Sequence, residues 1–398
     1  MDVLDDVQDR DLFQSFFWGG FECSTHRRTD GRRLDLLSAT GHDRHAEADY
    51  RLLAAAGIHT VREGVRWHRI EAIPGRFDWS SLLPMVRAAR VTGMQVVWDL
   101  CHYGWPDGLD IWSPDFVGRF ARFAAATARL IGAESDTAPV FCPMNEISFL
   151  AWAGGDMGYM NPFGNGEGDR LKCLLVQAAI AAVDAVRAVD PRARFVYAEP
   201  AINVAAGAPA AEEQAAAQSY HLSQFQAYDM LSGRLRPDLG GGAGYLDIVG
   251  VNFYPHNQWY LGGATIPFGR HDYRPLHELL VEFHGRYGRP MVVSETGAEG
   301  SARAAWLHYV TAEVRQAQAL GVPVHGVCLY PVLDYPGWDN DRPCDVGLLT
   351  TRDADGRCGL HRPLFEELLA QRMRLSQATP VPRADSAWGA AKGILSHG

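Results

Sequence analysis

Two glutamates stand where buried strands of this chain are expected to end. Glu146 closes the segment PMNE and Glu295 closes the segment MVVSE, each directly after a short apolar run. A pair of carboxyl groups can cleave a glycosidic bond, one as the acid and the other as nucleophile or base. Either glutamate alone indicates little, because strand-end glutamates are commonly salt-bridge partners. The pair therefore predicts this chemistry only if the fold brings both to one place.

The elements that would position the two glutamates alternate regularly along the chain. Eight continuously apolar runs are typical of strands buried on both faces of a parallel sheet. They lie at 16–19, 59–62, 95–100, 139–143, 194–198, 247–252, 291–294 and 325–329. A helical pattern follows each run, and eight such units predict an α/β fold, a single-domain (β/α)8 TIM barrel. We expect the barrel to occupy residues 1–375, with 376–398 as a loosely packed C-terminal tail.

The predicted helices are bounded by local sequence signals. Gly57 and Gly93 follow two of them as C′ glycines, and Ser113 precedes Pro114 as a candidate N-cap. The helices are predicted at 44–56, 80–92, 114–131, 170–189, 211–232, 275–287, 302–320 and 363–375.

Active sites of such barrels form at the carboxyl ends of the strands, so the polar residues there are the candidates. Arg62 beside one carboxylate would keep it ionised, as a nucleophile requires, and the Tyr254 hydroxyl could bind the same group. The other glutamate would then be the proton shuttle. The strand ends carry Arg62, Glu63, Asp99, His102, Tyr103, Asn145, Glu146, Glu199, Asn252, Tyr254, Glu295, Tyr330, Asp334 and Trp338. For Glu299, we expect a surface salt bridge rather than a sugar contact.

The composition argues against several kinds of partner and against a membrane protein. The 398 residues carry a formal net charge of −10 without a long Lys/Arg run, which argues against nucleic acid or an anionic membrane as partner. The start MDVLDD lacks the features of a signal peptide, and the most apolar helical stretch, 174–189, is too polar to span a bilayer. The seven scattered cysteines show no zinc-site spacing, and the segment GHDRHAE at 41–47 has no convincing ligand spacing. We expect a cytoplasmic protein without cofactor or metal.

Several segments together carry a family resemblance. They are FWG at 17–19, VREGVRWHRI at 61–70, LCHYGWP at 100–106, MNE at 144–146, IVGVNFY at 248–254, VSETG at 293–297, LDYPGW at 333–338 and VGL at 346–348. From Phe17 to about Leu368 the chain resembles glycoside hydrolase family 1, the β-glucosidase family of clan A barrels, in a shortened and divergent form.

This resemblance implies a role for each matching residue. It makes Glu146 the acid/base and Glu295 the nucleophile. It also makes Arg62 the active-site arginine, Asn145 a contact to the sugar 2-hydroxyl, His102 a sugar-binding side chain and Tyr254 a contact to the nucleophile.

The chain also departs from the family pattern, mostly in the sugar-binding positions. His26 stands where the family has a sugar-binding Gln, and Tyr330 where it has a stacking Trp. Gly337, directly before Trp338, stands where a Glu grips the glucose 4- and 6-hydroxyls. Ile147 and Thr296 replace the Pro and Asn that follow the two glutamates. The reaction machinery therefore resembles the family more than the glycone pocket does, and His26, His102, Tyr330 and Trp338 would shape that pocket.

These observations predict a retaining β-glycosidase that acts on a small glycoside or oligosaccharide by double displacement. Glu295 would attack the anomeric carbon, and Glu146 would act as acid and then as base. The two carboxyl groups are expected ~5–5.5 Å apart, as in retaining enzymes. Two alternatives remain open: a transglycosidase that uses the same machinery, and a sugar-binding barrel without hydrolytic activity. The sequence leaves the glycone, the aglycone and the oligomeric state open.

Overall fold

Residues 12–377 are described by the computed structural model, and they form a closed barrel of eight parallel strands. The strands are β1 (Phe17–Gly20), β2 (Thr60–Gly64), β3 (Gln95–Asp99), β4 (Val140–Cys142), β5 (Arg194–Pro200), β6 (Ile248–Asn252), β7 (Met291–Thr296) and β8 (Val324–Leu329). Each strand pairs in parallel with its neighbours in chain order, and β1 closes the ring by pairing with both β2 and β8. The predicted (β/α)8 barrel is confirmed.

Helices surround the barrel on its outside. The longer ones are His42–Ala55, Leu83–Thr92, Asp115–Glu134, Gly168–Arg187, Ala211–Ser223, Gln226–Leu231, Leu276–Tyr287, Arg303–Ala319 and Arg362–Gln377. Shorter helical turns are Leu36–Ala39, Trp67–Ile70, Trp79–Ser81, Ile147–Leu150, Ala151–Asp156, Pro237–Leu239 and Gly300–Ala302. Two small strand pairings lie in the loops, Asn203–Ala205 with Gln258–Tyr260 and Tyr335–Pro336 with Pro343–Cys344. Isolated bridges join further loop residues.

Apolar side chains fill both sides of the strands, as the continuous apolar runs predicted. One buried cluster collects residues from seven strands, including Trp18, Val97, Val196 and Val292, and therefore fills the barrel interior. A larger cluster joins the outer faces of the strands to the helices. Because all eight strands are parallel, their carboxyl ends share one rim, and the residues that follow them converge there.

Two details of the predicted elements are wrong. The helix predicted at 211–232 is broken at Gln224, whose side chain accepts from the Ile202 backbone N–H at 2.8 Å and so ties the chain to the loop after β5. Ser113 is not the N-cap of the next helix, which begins at Asp115 with Pro114 in that position. The last helix ends at Gln377, two residues after the predicted end at 375. The rest of the predicted tail and the start of the chain lie outside the described residues.

The histidine-rich segment at 41–47 contributes to a buried polar cluster. The His42 ring nitrogens lie 2.7 Å from the Asp49 carboxylate and 2.6 Å from that of Glu63, at the end of β2. Tyr50 donates a further hydrogen bond of 2.6 Å to Glu63. This cluster joins the first long helix to the barrel.

Candidate active site

Glu295 lies near the end of β7 with both carboxylate oxygens bound. Arg62, from β2, donates from Nη1 to Glu295 Oε1 at 2.6 Å, and the Tyr254 hydroxyl donates to Oε2 at 2.8 Å. The glutamate is 4% exposed and the arginine 1% exposed. A buried cation and a hydroxyl donor, each bound to one oxygen, hold the Glu295 carboxyl group in a fixed orientation.

The Arg62 guanidinium joins four strands at the rim. Its Nη2 donates to Asp99 Oδ2, at the end of β3, and to Asn145 Oδ1, after β4, each at 2.6 Å. Although burial favours the neutral acid, the Arg62 cation and then His102 lower the pKa of Asp99 below its usual value. Both terminal nitrogens of Arg62 are therefore paired, and its position fixes Glu295 relative to Asn145.

Glu146 follows β4 in a left-handed backbone conformation, with φ of 43°, at the start of the turn Ile147–Leu150. Its Oε1 accepts from Asn252 Nδ2 at 2.8 Å, and its Oε2 accepts from the Tyr103 hydroxyl. Burial and, after it, the charge of Glu295 raise the pKa of Glu146 to about 8. A carboxyl group that stays protonated near neutral pH can donate its proton to a leaving group.

The two glutamates thus occupy different electrostatic environments. Glu295 has a buried cation bound to it, whereas the nitrogen and oxygen donors around Glu146, from Asn252 and Tyr103, are neutral. The charge of Glu295 also contributes to the raised pKa of Glu146, so the two groups influence each other electrostatically. Two carboxyl groups whose surroundings differ in this way are suited to the separate roles of an acid and a nucleophile or base.

His102 and Tyr330 lie beside the Arg62 network. The His102 Nδ1 lies 2.9 Å from Asp99 Oδ2, and its Nε2 lies 3.1 Å from Asn145 Nδ2. The Tyr330 ring is parallel to the His102 ring at a centroid distance of 6.0 Å, and the Arg62 guanidinium lies over it. Both residues therefore lie at the rim, beside the arginine that binds Glu295.

His26 and Trp338 form an aromatic wall next to them. Their rings meet edge to face with centroids 4.8 Å apart, and the Trp338 ring also contacts that of Tyr103 at 5.7 Å. Burial lowers the pKa of His26 to about 3, so its ring is neutral. Within residues 12–377, neither His26 Nδ1 nor Trp338 Nε1 has a hydrogen-bond partner. Gly337 places no side chain in this wall.

Glu199 and Glu299, two weaker candidates, make contacts that stabilise the fold. Glu199, 1% exposed on β5, accepts from the Ser148 backbone N–H at 3.1 Å and so holds the turn that follows Glu146. Burial raises its pKa to about 7. Glu299 forms an ion pair with Arg342, and the two side chains are 46% and 53% exposed. The expected surface salt bridge of Glu299 is present.

Sequence reasoning assigned no role to several residues that contact the glutamates. Tyr103 is 1% exposed and left-handed, with φ of 68°, and its hydroxyl accepts from Asn145 Nδ2 at 2.9 Å while donating to Glu146. Asn252 is the last residue of β6 and binds Glu146 directly. Both had one signal, a polar side chain directly at a strand end, but nothing in the sequence indicated their partner. Glu22, two residues beyond β1, was missed altogether.

Cys23, Asp99 and His102 bring three potential metal-ligand atoms within 4.8 Å of one another. Arg62 donates to the same Asp99 oxygen that faces His102, so a metal cation here would meet a guanidinium at close range. The cluster is therefore better explained by hydrogen bonding around Arg62 than by metal binding.

The described part of the chain contains no helix that is long and apolar enough to cross a membrane. All seven cysteines lie in this part, and each is a free thiol.

Similarity to known proteins is found in structure and not in sequence. No family model matches the chain, and no curated protein matches it. The AHE enzyme from Alicyclobacillus herbarius aligns with a TM-score of 0.75 and 18% identity over 90% of this chain and 99% of that one. The family 1 β-glucosidase from Thermotoga maritima aligns with a TM-score of 0.72 and 14% identity, over 91% of this chain and 98% of that one. A rice β-glucosidase in a covalent complex with glucose aligns with 0.74 and 15% identity, over 89% and 98%. At these identities the alignments show a shared fold, that of β-glucosidases over nearly the whole chain.

Proposed function

We propose that the chain is a divergent member of glycoside hydrolase family 1 and a retaining β-glycosidase, with Glu295 as nucleophile and Glu146 as acid/base. The observation that carries the proposal is the asymmetry between the two carboxyl groups. Arg62 and Tyr254 bind both oxygens of Glu295, while burial and the charge of Glu295 raise the pKa of Glu146 to about 8.

In the first step, a Glu295 oxygen forms a bond to the anomeric carbon as the glycosidic bond breaks. Glu146 gives its proton to the leaving oxygen, which departs as an alcohol. In the second step, the ionised Glu146 takes a proton from water, the water oxygen bonds to the anomeric carbon, and Glu295 is released. Glu146 loses a proton in the first step and regains one in the second, so the net reaction consumes one water. The two carboxyl groups are expected ~5–5.5 Å apart.

The surrounding residues suit the binding of a sugar ring. Asn145 and His102 present polar groups beside the nucleophile, whereas Tyr330 and the wall of His26 and Trp338 offer aromatic surface. Because the acidic net charge argues against nucleic acid and anionic membranes, a small neutral glycoside or oligosaccharide is the proposed substrate. The fold shared with a rice β-glucosidase that holds glucose covalently supports this chemistry. The seven free thiols support the proposed cytoplasmic location.

The proposal is tested by assaying a panel of aryl β-glycosides with the wild type and with Glu295→Gln. The wild type should release the phenol from at least one of them, and the variant should lose on the order of 10³-fold or more in kcat. Glu299→Gln serves as the matched control, because Glu299 follows the same strand but is half exposed and paired with Arg342. In Glu295→Ala, added azide or formate should restore part of the activity. Wild-type turnover by the Glu295 variants, or no turnover of any glycoside by the wild type, would contradict the proposal.

A further inference from the structure

Glu22 is a third carboxyl group near the site, and the proposed mechanism does not use it. It lies two residues after β1 and is 6% exposed. Its Oε1 accepts from the Ser24 backbone N–H at 3.0 Å and from the Ser24 hydroxyl. Among residues 12–377, nothing forms a hydrogen bond with its Oε2, and no lysine, arginine or histidine forms an ion pair with it. One oxygen of Glu22 is thus anchored while the other remains available.

A carboxyl group buried without an ion-pair partner is energetically costly. Burial raises the pKa of Glu22, and the positive charge of His102 acts against that increase. Oε2 is the oxygen of Glu22 that no described protein group binds, so it is the atom that a ligand hydroxyl can reach.

The chain around Glu22 is held against the candidate site. Next to it, the Cys23 thiol lies 3.3 Å from His102 Nδ1 and 3.7 Å from the Tyr330 hydroxyl. Burial raises the pKa of Tyr335, and the charge of Glu22 is the next contribution. The segment that carries Glu22 thus contacts the residues beside the Arg62 network.

The cations in this region are already paired. Arg62 binds both Glu295 and Asp99, and His102 binds Asp99. Adding Glu22 leaves the region with more carboxyl groups than cations. A negatively charged group on a ligand would therefore meet repulsion here, whereas a hydroxyl group can donate a hydrogen bond to a carboxylate oxygen.

We propose that Glu22 is a specificity-determining residue whose Oε2 accepts a hydrogen bond from a hydroxyl group of an uncharged glycone. The inference rests on the proposed glycosidase function and adds a substrate class to it. The site selects neutral sugars and disfavours uronic acids and phosphorylated sugars. Glu22 directly precedes Cys23, whose thiol contacts His102 and Tyr330 on the Arg62 side of the site, where the nucleophile lies. The hydroxyl is therefore assigned to the glycone and not to the leaving group.

The first experiment measures kcat/KM for wild type, Glu22→Gln and Glu22→Ala on the best aryl glycoside and on analogues that lack the 3-, 4- or 6-hydroxyl. For the wild type, loss of one particular hydroxyl from the substrate should lower kcat/KM by about 10- to 100-fold. For Glu22→Ala, loss of the same hydroxyl should lower kcat/KM little further, because the substitution has already removed the acceptor. Glu22→Gln keeps an acceptor oxygen and should lose less than Glu22→Ala. Equal penalties in wild type and Glu22→Ala for every analogue would overturn the proposal.

The second experiment compares neutral aryl glycosides with the matching glucuronide and 6-phosphate. The wild-type kcat/KM should be about 100-fold or more higher for the neutral substrate than for the charged ones. In Glu22→Gln, this ratio of kcat/KM values should be smaller. An unchanged preference in Glu22→Gln, with neutral activity retained, would overturn the role of Glu22 and leave the glycosidase proposal intact. A wild type that hydrolyses no glycoside would overturn both. If Glu22→Ala fails to fold, Glu22→Gln decides the outcome in both experiments, because it keeps the size and hydrogen bonding of the side chain.

Discussion

Arg62 and Glu295 form a salt bridge of 2.6 Å between Nη1 and Oε1, and their side chains are only 1% and 5% exposed. The other guanidinium nitrogen binds Asp99 at 2.6 Å, so one buried cation balances two carboxylates. Removing one partner from such a buried network leaves charges without compensation, which is more costly than losing a surface pair. The salt bridge therefore links the stability of the barrel rim to the position of the proposed nucleophile.

Arg62→Lys should lower both the catalytic activity and the stability of the protein. A lysine ammonium lacks the planar fork that lets Arg62 bind Glu295, Asp99 and Asn145 together. We expect kcat/KM to fall by about 100-fold and the free energy of unfolding by roughly 3 kcal/mol. Activity assays and urea denaturation measure the two effects. Arg51→Lys is the control, since Arg51 is 59% exposed and pairs with Glu47 on a helix surface. An Arg62→Lys enzyme with wild-type kcat/KM would refute the role of Arg62.

Tyr103→Phe should change the pH dependence of the reaction. The Tyr103 hydroxyl donates to Glu146, which favours the charged carboxylate and lowers its pKa, although burial and Glu295 keep that pKa raised to about 8. Without this donor the pKa of Glu146 should rise, so the basic limb of the kcat/KM profile should move upward by about one pH unit. Tyr245→Phe is the control, because the Tyr245 hydroxyl binds only Asp184, near the surface. A basic limb that stays in place or moves downward would contradict this prediction.

His42→Gln should destabilise the protein in a pH-dependent manner. Burial opposes the charging of His42, but Glu63 and Asp49 outweigh it and raise its pKa to about 9. A histidine whose pKa is higher in the folded state stabilises fully below its unfolded pKa of about 6.5, and this contribution is lost as pH rises through about 9.

The difference in unfolding free energy between wild type and His42→Gln should therefore be largest at pH 6 and shrink by pH 9. Urea denaturation at several pH values measures it, with His271→Gln as the control because the His271 side chain is 80% exposed. A difference that is constant across this range would show that the charge of His42 contributes nothing.

The barrel and the proposed glutamate pair could be predicted because their signals are local. An apolar run followed by a polar residue is visible at Glu146 and Glu295, and parallel strands bring such residues to one rim. The break at Gln224 was not predictable, since it depends on a contact with Ile202, far along the chain. The contacts of Tyr103 with Glu146 and of Cys23 with His102 likewise depend on side-chain directions that no sequence spacing encodes.

The burial of Glu22 was not predictable from the sequence either. A single glutamate in the segment FECS gives no sign of burial, because glutamates are mostly exposed. Only the closure of β1 against β2 and β8 encloses it among His102, Tyr330 and Tyr335.

The most direct test of the proposed mechanism is to trap the glycosyl-enzyme. A 2-deoxy-2-fluoro β-glycoside with a good leaving group should react once, because the fluorine slows both steps and the leaving group speeds only the first. Intact mass should increase by one sugar, and peptide mapping should place the adduct on Glu295. An adduct on another residue, or steady turnover of β-glycosides without any covalent adduct, would contradict the assignment of Glu295 as the nucleophile.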